Sequence, residues 1–230
     1  MKILALETAT EACSAAVLAD GVLVERYQVA PREHNRLILP MIEAVLAESG
    51  LTTVDLDALA FGCGPGSFTG VRIAAGVVQG IGLGLDLPVV PVSTLAALSF
   101  DALQHARSRR AYACIDARMH EVYWGIYQRE PDGSLQPLVD ECVCAASAVP
   151  VPDRQPGIAT GSGWGTYLSE LTARAGFAMT EVLPDRFPRA GAIAHLAADQ
   201  LRRSGSSWPV EQAQPVYLRD NVAQKPGQRG

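Results

Sequence analysis

The residues best suited to binding a ligand lie in a glycine-rich segment at positions 64–72, with the sequence GPGSFTGVR. A glycine-rich turn between a strand and a helix can present backbone N–H groups to an anion. The segment lacks the Lys-Ser/Thr ending of a P-loop, and its G-x-G-x-x-x-G spacing differs from the dinucleotide-binding fingerprint. On physical grounds alone we therefore favour a tight turn that opens a helix.

Three further places combine polar residues with a turn. The first predicted strand ends in ETATE at positions 7–11, where an acid followed by hydroxyls could contact a phosphate or hydrated Mg²⁺. A capped hairpin end explains the same residues equally well. Asp116 and Arg118 follow the first strand of the second half, and the GSG segment at 161–163 opens a later helix as another candidate anion site.

The remaining inventory for catalysis is small. The four histidines, at positions 34, 105, 120 and 195, include no pair at the H-x-x-x-H spacing of metal ligands, and no G-x-S-x-G nucleophile elbow is present. The five cysteines are scattered and odd in number, which favours reduced thiols in a cytoplasmic protein over a disulfide framework. For Cys142 and Cys144 we favour small buried side chains over a metal site.

Composition restricts the classes of partner. A net charge of −5 and a pI of about 5.4 argue against direct, tight binding of nucleic acid, which usually needs a basic surface. A role in RNA metabolism through a partner stays open. The N-terminus is typical of a strand rather than a signal peptide. The longest apolar run, at 73–85, is interrupted by Gln79 and is too short to span a bilayer, so we expect no membrane association.

Apolar periodicity predicts the same arrangement of elements twice. In the first half it predicts strands at 2–6, 12–19, 22–29, 57–62 and 88–91, with helices at 36–49, at 68–85 and from Ser93 onward. In the second half it predicts strands at 111–117, 121–127 and 138–145, a helix that ends near 174, and a helix at 190–203. Asp20-Gly21 marks a hairpin. We predict an α/β fold with mixed sheets in two domains, 1–108 and 109–208, and an extended tail at 209–230.

The first two predicted helices carry apolar or glycine residues on more than one side. The helix at 68–85 has a glycine at every fourth position, and each interior glycine costs roughly 0.5–1 kcal/mol relative to alanine, so we expect this face to pack closely against another element. Exposed apolar patches usually mark interfaces. The predicted partner surface comprises Leu37, Ile38, Met41, Ile42, Val45, Val71, Gly76, Val77, Gly80 and Ile81.

Four segments resemble the signatures of the TsaB family, also called YeaZ. The most specific is GPGSFTGVRIAAG at 64–76, and 4–18, 115–127 and YLRD at 217–220 support it. The resemblance implies the actin/Hsp70/sugar-kinase fold, which contains two ribonuclease-H-like domains. It also implies a non-catalytic subunit that supports the metal-bearing TsaD, with the ATPase TsaE, in threonylcarbamoyl transfer to adenosine 37 of tRNAs that read ANN codons.

The resemblance also implies a vestigial nucleotide cleft between the domains. Its candidate residues are Glu7, Thr8, Thr10, Asp116, Arg118, Gly161 and Gly163. TsaD proteins carry an H-x-x-x-H metal motif after the strand that follows the glycine-rich helix, and the matching residues here are Thr94 and Leu98. We therefore expect no metal, no catalytic residue and no cofactor beyond weak nucleotide binding. Contact with tRNA would be only through the complex, and the chain alone could form a homodimer.

Two enzyme hypotheses remain as alternatives. One is a TsaD-like carbamoyl transferase that depends on a metal and ATP, or a peptidase, and the missing histidines count against both. The other is a sugar-kinase-like phosphotransferase, for which Asp116 is the one candidate base.

Overall fold

The chain begins with an antiparallel meander whose turn the sequence predicts. In the computed structural model, which describes residues 1–104, 106–176, 179–205 and 207–219, strands β1 (Lys2–Glu7), β2 (Ala12–Ala19) and β3 (Val22–Val29) pair in that order. Asp20 and Gly21 join β2 to β3 with φ angles of 49° and 89°. A two-residue type I′ turn requires positive φ at both positions, so the hairpin prediction is confirmed.

Two parallel strands complete the first sheet. β4 (Ala58–Gly64) pairs with β1 and β5 (Val89–Ser93) pairs with β4, which gives the order β3-β2-β1-β4-β5. Helices α1 (His34–Glu48) and α2 (Phe68–Leu85) pack on one face, and α6 (Ala190–Ser204) packs on the other. Because both faces are covered, the central strands are almost continuously apolar.

The second sheet repeats this topology. Its antiparallel part contains β6 (Arg110–Arg118), β7 (Glu121–Arg129), β8 (Leu135–Pro137) and β9 (Cys142–Ala145). Its parallel part adds β10 (Gly157–Thr160) and β11 (Met179–Leu183), which gives the order β11-β10-β6-β7-β8, with β9 also paired to β7. Helices α4 (Ser162–Thr166) and α5 (Leu168–Ala175) cover one face, and α3 (Thr94–Gln104) covers the other.

The two mixed sheets have the same strand order, and this confirms the predicted fold class. The chain has the actin/Hsp70/sugar-kinase type of fold, with a ribonuclease-H-like sheet in each half. The predicted strand at 138–145 is corrected to the shorter β9, Cys142–Ala145, and the prediction missed β8, which lies just before that range; the two pair with different parts of β7. Ser93 caps α3 as predicted, since its hydroxyl accepts a hydrogen bond from the Ala96 N–H at 3.1 Å.

The domain limits stay a prediction, but two segments lie differently from the expected arrangement. Helix α6, within the predicted domain 109–208, packs on the first sheet through residues such as Ile193 and Ala197. The predicted tail at 209–230 is packed along its described part. Trp208 forms a two-hydrogen-bond bridge with Val89, at 2.9 Å each way, and Ala213 is fully buried.

Candidate functional site

The glycine-rich loop closes against the turn after β1. The Ser67 N–H donates to the Ala9 carbonyl and the Thr8 hydroxyl donates to the Gly70 carbonyl, both at 2.7 Å. A Cβ on Gly66 would lie 2.5 Å from the Ala9 carbonyl oxygen, and a Cβ on Gly70 would overlap the Thr8 carbonyl oxygen. These glycines therefore permit two backbone turns to approach closely. This geometry supports a tight turn that opens α2.

Glu7 points into the protein interior. Its side chain is fully buried, and Oε1 accepts a hydrogen bond from the Ala9 N–H at 2.6 Å. Oε2 has no hydrogen-bond partner among the residues that the structure describes. Because a Cβ on Gly62 would overlap Oε2, the carboxyl occupies space that a side chain on β4 would take. Burial raises the pKa of Glu7 to about 7, although backbone hydrogen bonds from Ala9 and Thr8 oppose the shift.

Burial corrects the assignment of Glu7 and Thr8 to a nucleotide cleft. Both side chains have no exposed surface, so neither can reach a phosphate or a hydrated Mg²⁺ in an open cleft. The Thr8 hydroxyl already donates to the carbonyl of Gly70. The alternative given above, a capped hairpin end, fits these two residues.

Gly161 and Gly163 are packing positions as well. Gly161 has a φ of 105°, a region that glycine adopts without strain. A Cβ on Gly161 would overlap the Cys114 carbonyl oxygen, and one on Gly163 would overlap the Cys114 Sγ. The two glycines let the start of α4 approach β6 closely, and neither lines a described pocket. The predicted anion turn is therefore corrected to a contact between a helix and a strand.

A cleft of about 770 Å³ separates the start of α2 from the end of β6. Thr10, Asp116 and Arg118 of the predicted set line it, together with Glu11, which the set did not include. The Arg118 guanidinium lies 2.8 Å from Asp116 Oδ2 and 3.1 Å from Glu11 Oε1. The cleft therefore exists, and Arg118 joins the two halves of the chain through carboxylates while its own side chain stays 71% exposed.

The C-terminal segment forms one wall of this cleft. The Val216 N–H donates to the Cys63 carbonyl at 2.7 Å, and the Tyr217 ring lies 5.6 Å from the Phe68 ring. Beyond it, Arg219 forms an ion pair with Glu121 on β7. Only the YLRD pattern at 217–220 marks this wall in the sequence, and Asp220 of that pattern lies outside the described residues.

A second buried polar cluster lies beside α3. The Glu141 carboxylate accepts hydrogen bonds from the hydroxyls of Ser93 and Tyr127. Burial raises the pKa of Glu141, and burial raises the pKa of the neighbouring Cys63 thiol to about 12. A protonated thiol is a poor nucleophile and a poor metal ligand. Sequence analysis missed Glu141 because it lies in a loop with no recognisable motif.

The structure describes no obvious place for a metal. Within residues 1–104, 106–176, 179–205 and 207–219, no three His, Cys, Asp or Glu side chains are grouped so that they could hold an ion. Thr94 and Leu98, which match the histidine positions of TsaD, are fully buried on α3. His34, the buried histidine, contacts the Ala12 carbonyl through Nε2 at 3.2 Å.

The predicted partner surface on α1 and α2 is half wrong. Five of its residues are buried under their own sheet, so they cannot face another protein. They are Ile38, Met41, Ile42, Val45 and Val71. Both edges of the apolar stripe on α1 are used by the sheet core, because a helix lying on a sheet buries a broad face. Leu37, Val77 and Ile81 are half-buried at the edge of the same core.

The exposed face of α2 is continuous, and it includes Gly76 and Gly80 of the predicted partner surface. It begins with Phe68, Thr69 and Arg72 and ends with Leu83 and Gly84. Between these ends lie Gly76 and Gly80. A Cβ on Gly76, Gly80 or Gly84 would meet no atom within 4 Å, so the expected close packing of this glycine face does not occur among the described residues of the chain.

An exposed side of α1 adds apolar surface. Leu39 is 53% exposed, and Pro40 and Ala47 are also exposed on this helix. Helix α2 has the predicted bounds 68–85, and by length and composition alone its 18 residues could cross a membrane, which the shorter apolar run at 73–85 did not indicate. Core helices of globular proteins also pass that test. In the structure, one side of α2 packs on the first sheet, and the other is exposed, with glycines at its centre and larger side chains at its ends.

Comparisons with known proteins agree with the fold and with the sequence signatures. Residues 26–226 match the family model described as TsaD, tRNA N6-adenosine threonylcarbamoyltransferase. The tRNA threonylcarbamoyladenosine biosynthesis protein TsaB of Escherichia coli is 41% identical, over 98% of this chain and 97% of that protein. The protein of the same name from Haemophilus influenzae is 38% identical, over 98% of this chain and 96% of its own.

Solved structures give the same result. YeaZ from Pseudomonas aeruginosa superimposes with a TM-score of 0.87 at 41% identity, over 94% of this chain and 99% of that one. A second structure, of an uncharacterized protein with similarity to peptidase YeaZ from Pseudomonas aeruginosa, has the same TM-score at 42% identity, over 95% of this chain and 99% of that one.

Proposed function

The chain belongs to the TsaB family of tRNA threonylcarbamoyladenosine biosynthesis proteins, and we propose that it acts there as a non-catalytic subunit. Its partner in this proposal is TsaD, with TsaE as a further component, in threonylcarbamoyl transfer to adenosine 37 of tRNAs that read ANN codons. The observation that carries the proposal is the exposed glycine face of α2.

That face has an energetic cost within the isolated chain. Gly76, Gly80 and Gly84 lie inside a helix and contact nothing, and each costs roughly 0.5–1 kcal/mol relative to alanine. The cost is offset if another backbone packs directly on the helix, because the absence of Cβ atoms lets two helices approach closely. Phe68 and Arg72 at one end supply the aromatic and arginine side chains that are common at the centre of interfaces.

A partner of the same fold suits this surface. In such a partner, two helices equivalent to α1 and α2 would meet the exposed sides of α1 and α2 as a four-helix contact. TsaD, whose family model matches this chain, supplies that fold. A second copy of this chain is the alternative occupant, and it would form a symmetric dimer when TsaD is absent.

The cleft supports a non-catalytic role. Glu7 and Thr8 are buried, and Arg118 is held by Glu11 and Asp116, so few groups are free to hold Mg²⁺ and a triphosphate. We expect weak or no nucleotide binding by the isolated chain and no resident metal. The raised pKa values of the Cys63 and Cys144 thiols, each about 12, fit inert thiols. A reducing, cytoplasmic location suits five free cysteines.

The test is Gly80→Gln. A Cβ at this position meets no described atom within 4 Å, and loss of a helix-interior glycine favours folding. We expect the variant to be at least as stable as the wild type while binding to purified TsaD falls at least tenfold, as measured by calorimetry or size-exclusion chromatography. A matched control is Ala173→Gln, at an exposed position on α5 of the second sheet.

The outcomes separate folding from binding. Loss of binding in Gly80→Gln but not in Ala173→Gln supports the surface. Unchanged affinity of Gly80→Gln for TsaD places the contact elsewhere. Wild-type protein that fails to bind TsaD at all refutes the subunit role itself.

A further inference from the structure

Most arginines of this acidic chain are neutralised by a carboxylate. Of the described arginines, nine form an ion pair: Arg26, Arg36, Arg110, Arg118, Arg186, Arg189, Arg202, Arg203 and Arg219. Others are used differently. Arg72, for example, lies 3.7 Å above the Phe68 ring, and Arg174 donates to the Val149 carbonyl. Arg32, Arg72 and Arg174 also lack a carboxylate partner among the described residues, so what distinguishes the next three arginines is that they lie in one place.

Such a group lies at the start of the second sheet. Arg107, Arg109 and Arg129 have no carboxylate partner among the residues that the structure describes. They are neighbours in space: the Arg109 Nε donates to the Arg129 carbonyl at 3.0 Å, and the Arg129 N–H donates to the Arg109 carbonyl at 2.7 Å. Arg107 and Arg109 are exposed, and Arg129 is half-buried at the end of β7. We call these three residues the arginine patch.

The arginine patch borders an open hollow of about 900 Å³. Arg107 and Arg109 line it, together with polar groups of Ser108, Gln155 and Thr180. Two carboxylates also line it. Asp153 is already paired with Arg110, which leaves two opposing charges: the exposed Glu181, and the half-buried Glu130 that follows Arg129 and accepts a hydrogen bond from Gln128. The balance is positive, in a chain whose net charge is −5.

We propose that the arginine patch binds the phosphodiester backbone of tRNA, an inference that rests on the proposed function for its choice of ligand. Guanidinium groups bind phosphate oxygens through paired N–H donors, and they keep their charge at any physiological pH. The hollow between β6, β10 and β11 is open, so an extended backbone can lie across it. Local arginines matter more than net charge here, because each neutralised phosphate releases condensed counterions.

The arginine patch and the exposed face of α2 share no element. The patch lies on the segment before β6 and at the end of β7, whereas the partner surface lies on α1 and α2. One assembly can therefore use both surfaces at once. Three arginines make few phosphate contacts, so the isolated chain binds tRNA weakly and the patch adds to contacts made by the rest of the complex. This refines the expectation that tRNA contact occurs only through partners.

The experiment uses the full chain and a fluorescently labelled tRNA transcript, with anisotropy measured from low to physiological ionic strength. The test variant carries Arg107→Gln, Arg109→Gln and Arg129→Gln. The matched control carries Arg36→Gln, Arg202→Gln and Arg203→Gln, and so loses the same charge at exposed arginines that are already paired. A third variant replaces the patch arginines by lysine. Circular dichroism confirms that each variant is folded.

The expected result concerns the salt slope. Loss of three phosphate contacts should reduce the slope of log K against log salt by about two, since each contact contributes roughly 0.7–0.9. In the glutamine variant, the affinity for tRNA at low salt should fall at least tenfold. The lysine variant should keep most of the salt slope. The matched control should change little in either affinity or slope.

Three outcomes overturn the proposal. If the glutamine variant and the matched control lose equal affinity for tRNA, the effect comes from net charge alone and not from the arginine patch. If the wild type does not bind tRNA at low salt, tRNA is not the ligand of the arginine patch. Binding to vesicles that contain phosphatidylserine, with no binding to tRNA, would assign the patch to a membrane surface. Each is distinguishable from failure of the subunit role, because none of these measurements needs TsaD.

Discussion

Glu7→Gln tests whether the carboxyl at the end of β1 is a buried structural group. In the folded chain the side chain has no exposed surface, and its pKa is about 7 against an ordinary value of 4.5. Below pH 4.5 the carboxyl is protonated in both the folded and unfolded states, and its contribution to stability is complete. Between pH 4.5 and 7 the unfolded state loses its proton first, so stability falls as the pH rises.

The size of this loss follows from the shift. A difference of 2.5 in pKa, with 1.36 kcal/mol for each unit, corresponds to about 3 kcal/mol lost between pH 4.5 and pH 8. Glutamine has nearly the same shape, keeps the acceptor for the Ala9 N–H and does not titrate in this range. Relative to the wild type, the free energy of unfolding of Glu7→Gln should therefore gain about 3 kcal/mol over this interval.

The measurement is urea unfolding of both proteins at several pH values from 4.5 to 8. The wild-type minus variant difference isolates Glu7, because groups such as Glu141 and His195 contribute equally to both. If Glu7→Gln and wild-type stabilities run parallel across this range, Glu7 is ionised throughout and has a partner or solvent that the structure does not provide.

Two further predictions concern the glycines of α2 and the cleft. Gly80→Ala should stabilise the chain by roughly 0.5–1 kcal/mol, because the new Cβ meets no described atom within 4 Å. Gly82→Ala should destabilise the chain by about 1–2 kcal/mol, because its Cβ would lie 2.8 Å from Val210 Cγ2. The urea midpoints of the two variants, compared with the wild type, check both signs. Calorimetry of the isolated chain with ATP and Mg²⁺ should detect at most weak binding, and a micromolar Kd would contradict the account of the cleft.

The architecture was predictable because it depends on local patterns. Asp20-Gly21 specifies its hairpin through backbone φ angles, and alternating runs of apolar residues specify strand and helix in each half. Because the pattern repeats along the chain, the sequence predicted two mixed sheets, and the structure has both, with the same strand order in each. Ser93 similarly marked the start of α3, since an N-cap is a property of neighbouring residues.

The candidate site was predictable only in part, because burial depends on residues distant in sequence. Glu7 lies at the end of β1 as expected, yet it faces inward because Gly62 on β4 leaves room for its carboxyl. Met41 and Val45 have the spacing of an interface stripe, yet both edges of that stripe fill the core under the first sheet. The wall formed by Val216 and Tyr217 depends on hydrogen bonding and ring contacts with residues some 150 positions earlier.

The glycines of α2 show why the partner surface needed coordinates. In sequence, Gly70, Gly76, Gly80, Gly82 and Gly84 are alike: each removes a side chain from a helix. In the structure they serve two purposes. Gly70 and Gly82 make room for Thr8 and Val210 of the same chain, so their cost is offset within the fold. Gly76, Gly80 and Gly84 have no such neighbour among the residues that the structure describes, and the proposed partner would offset theirs. The exposed glycines, rather than the buried apolar stripe, are therefore where the partner should pack.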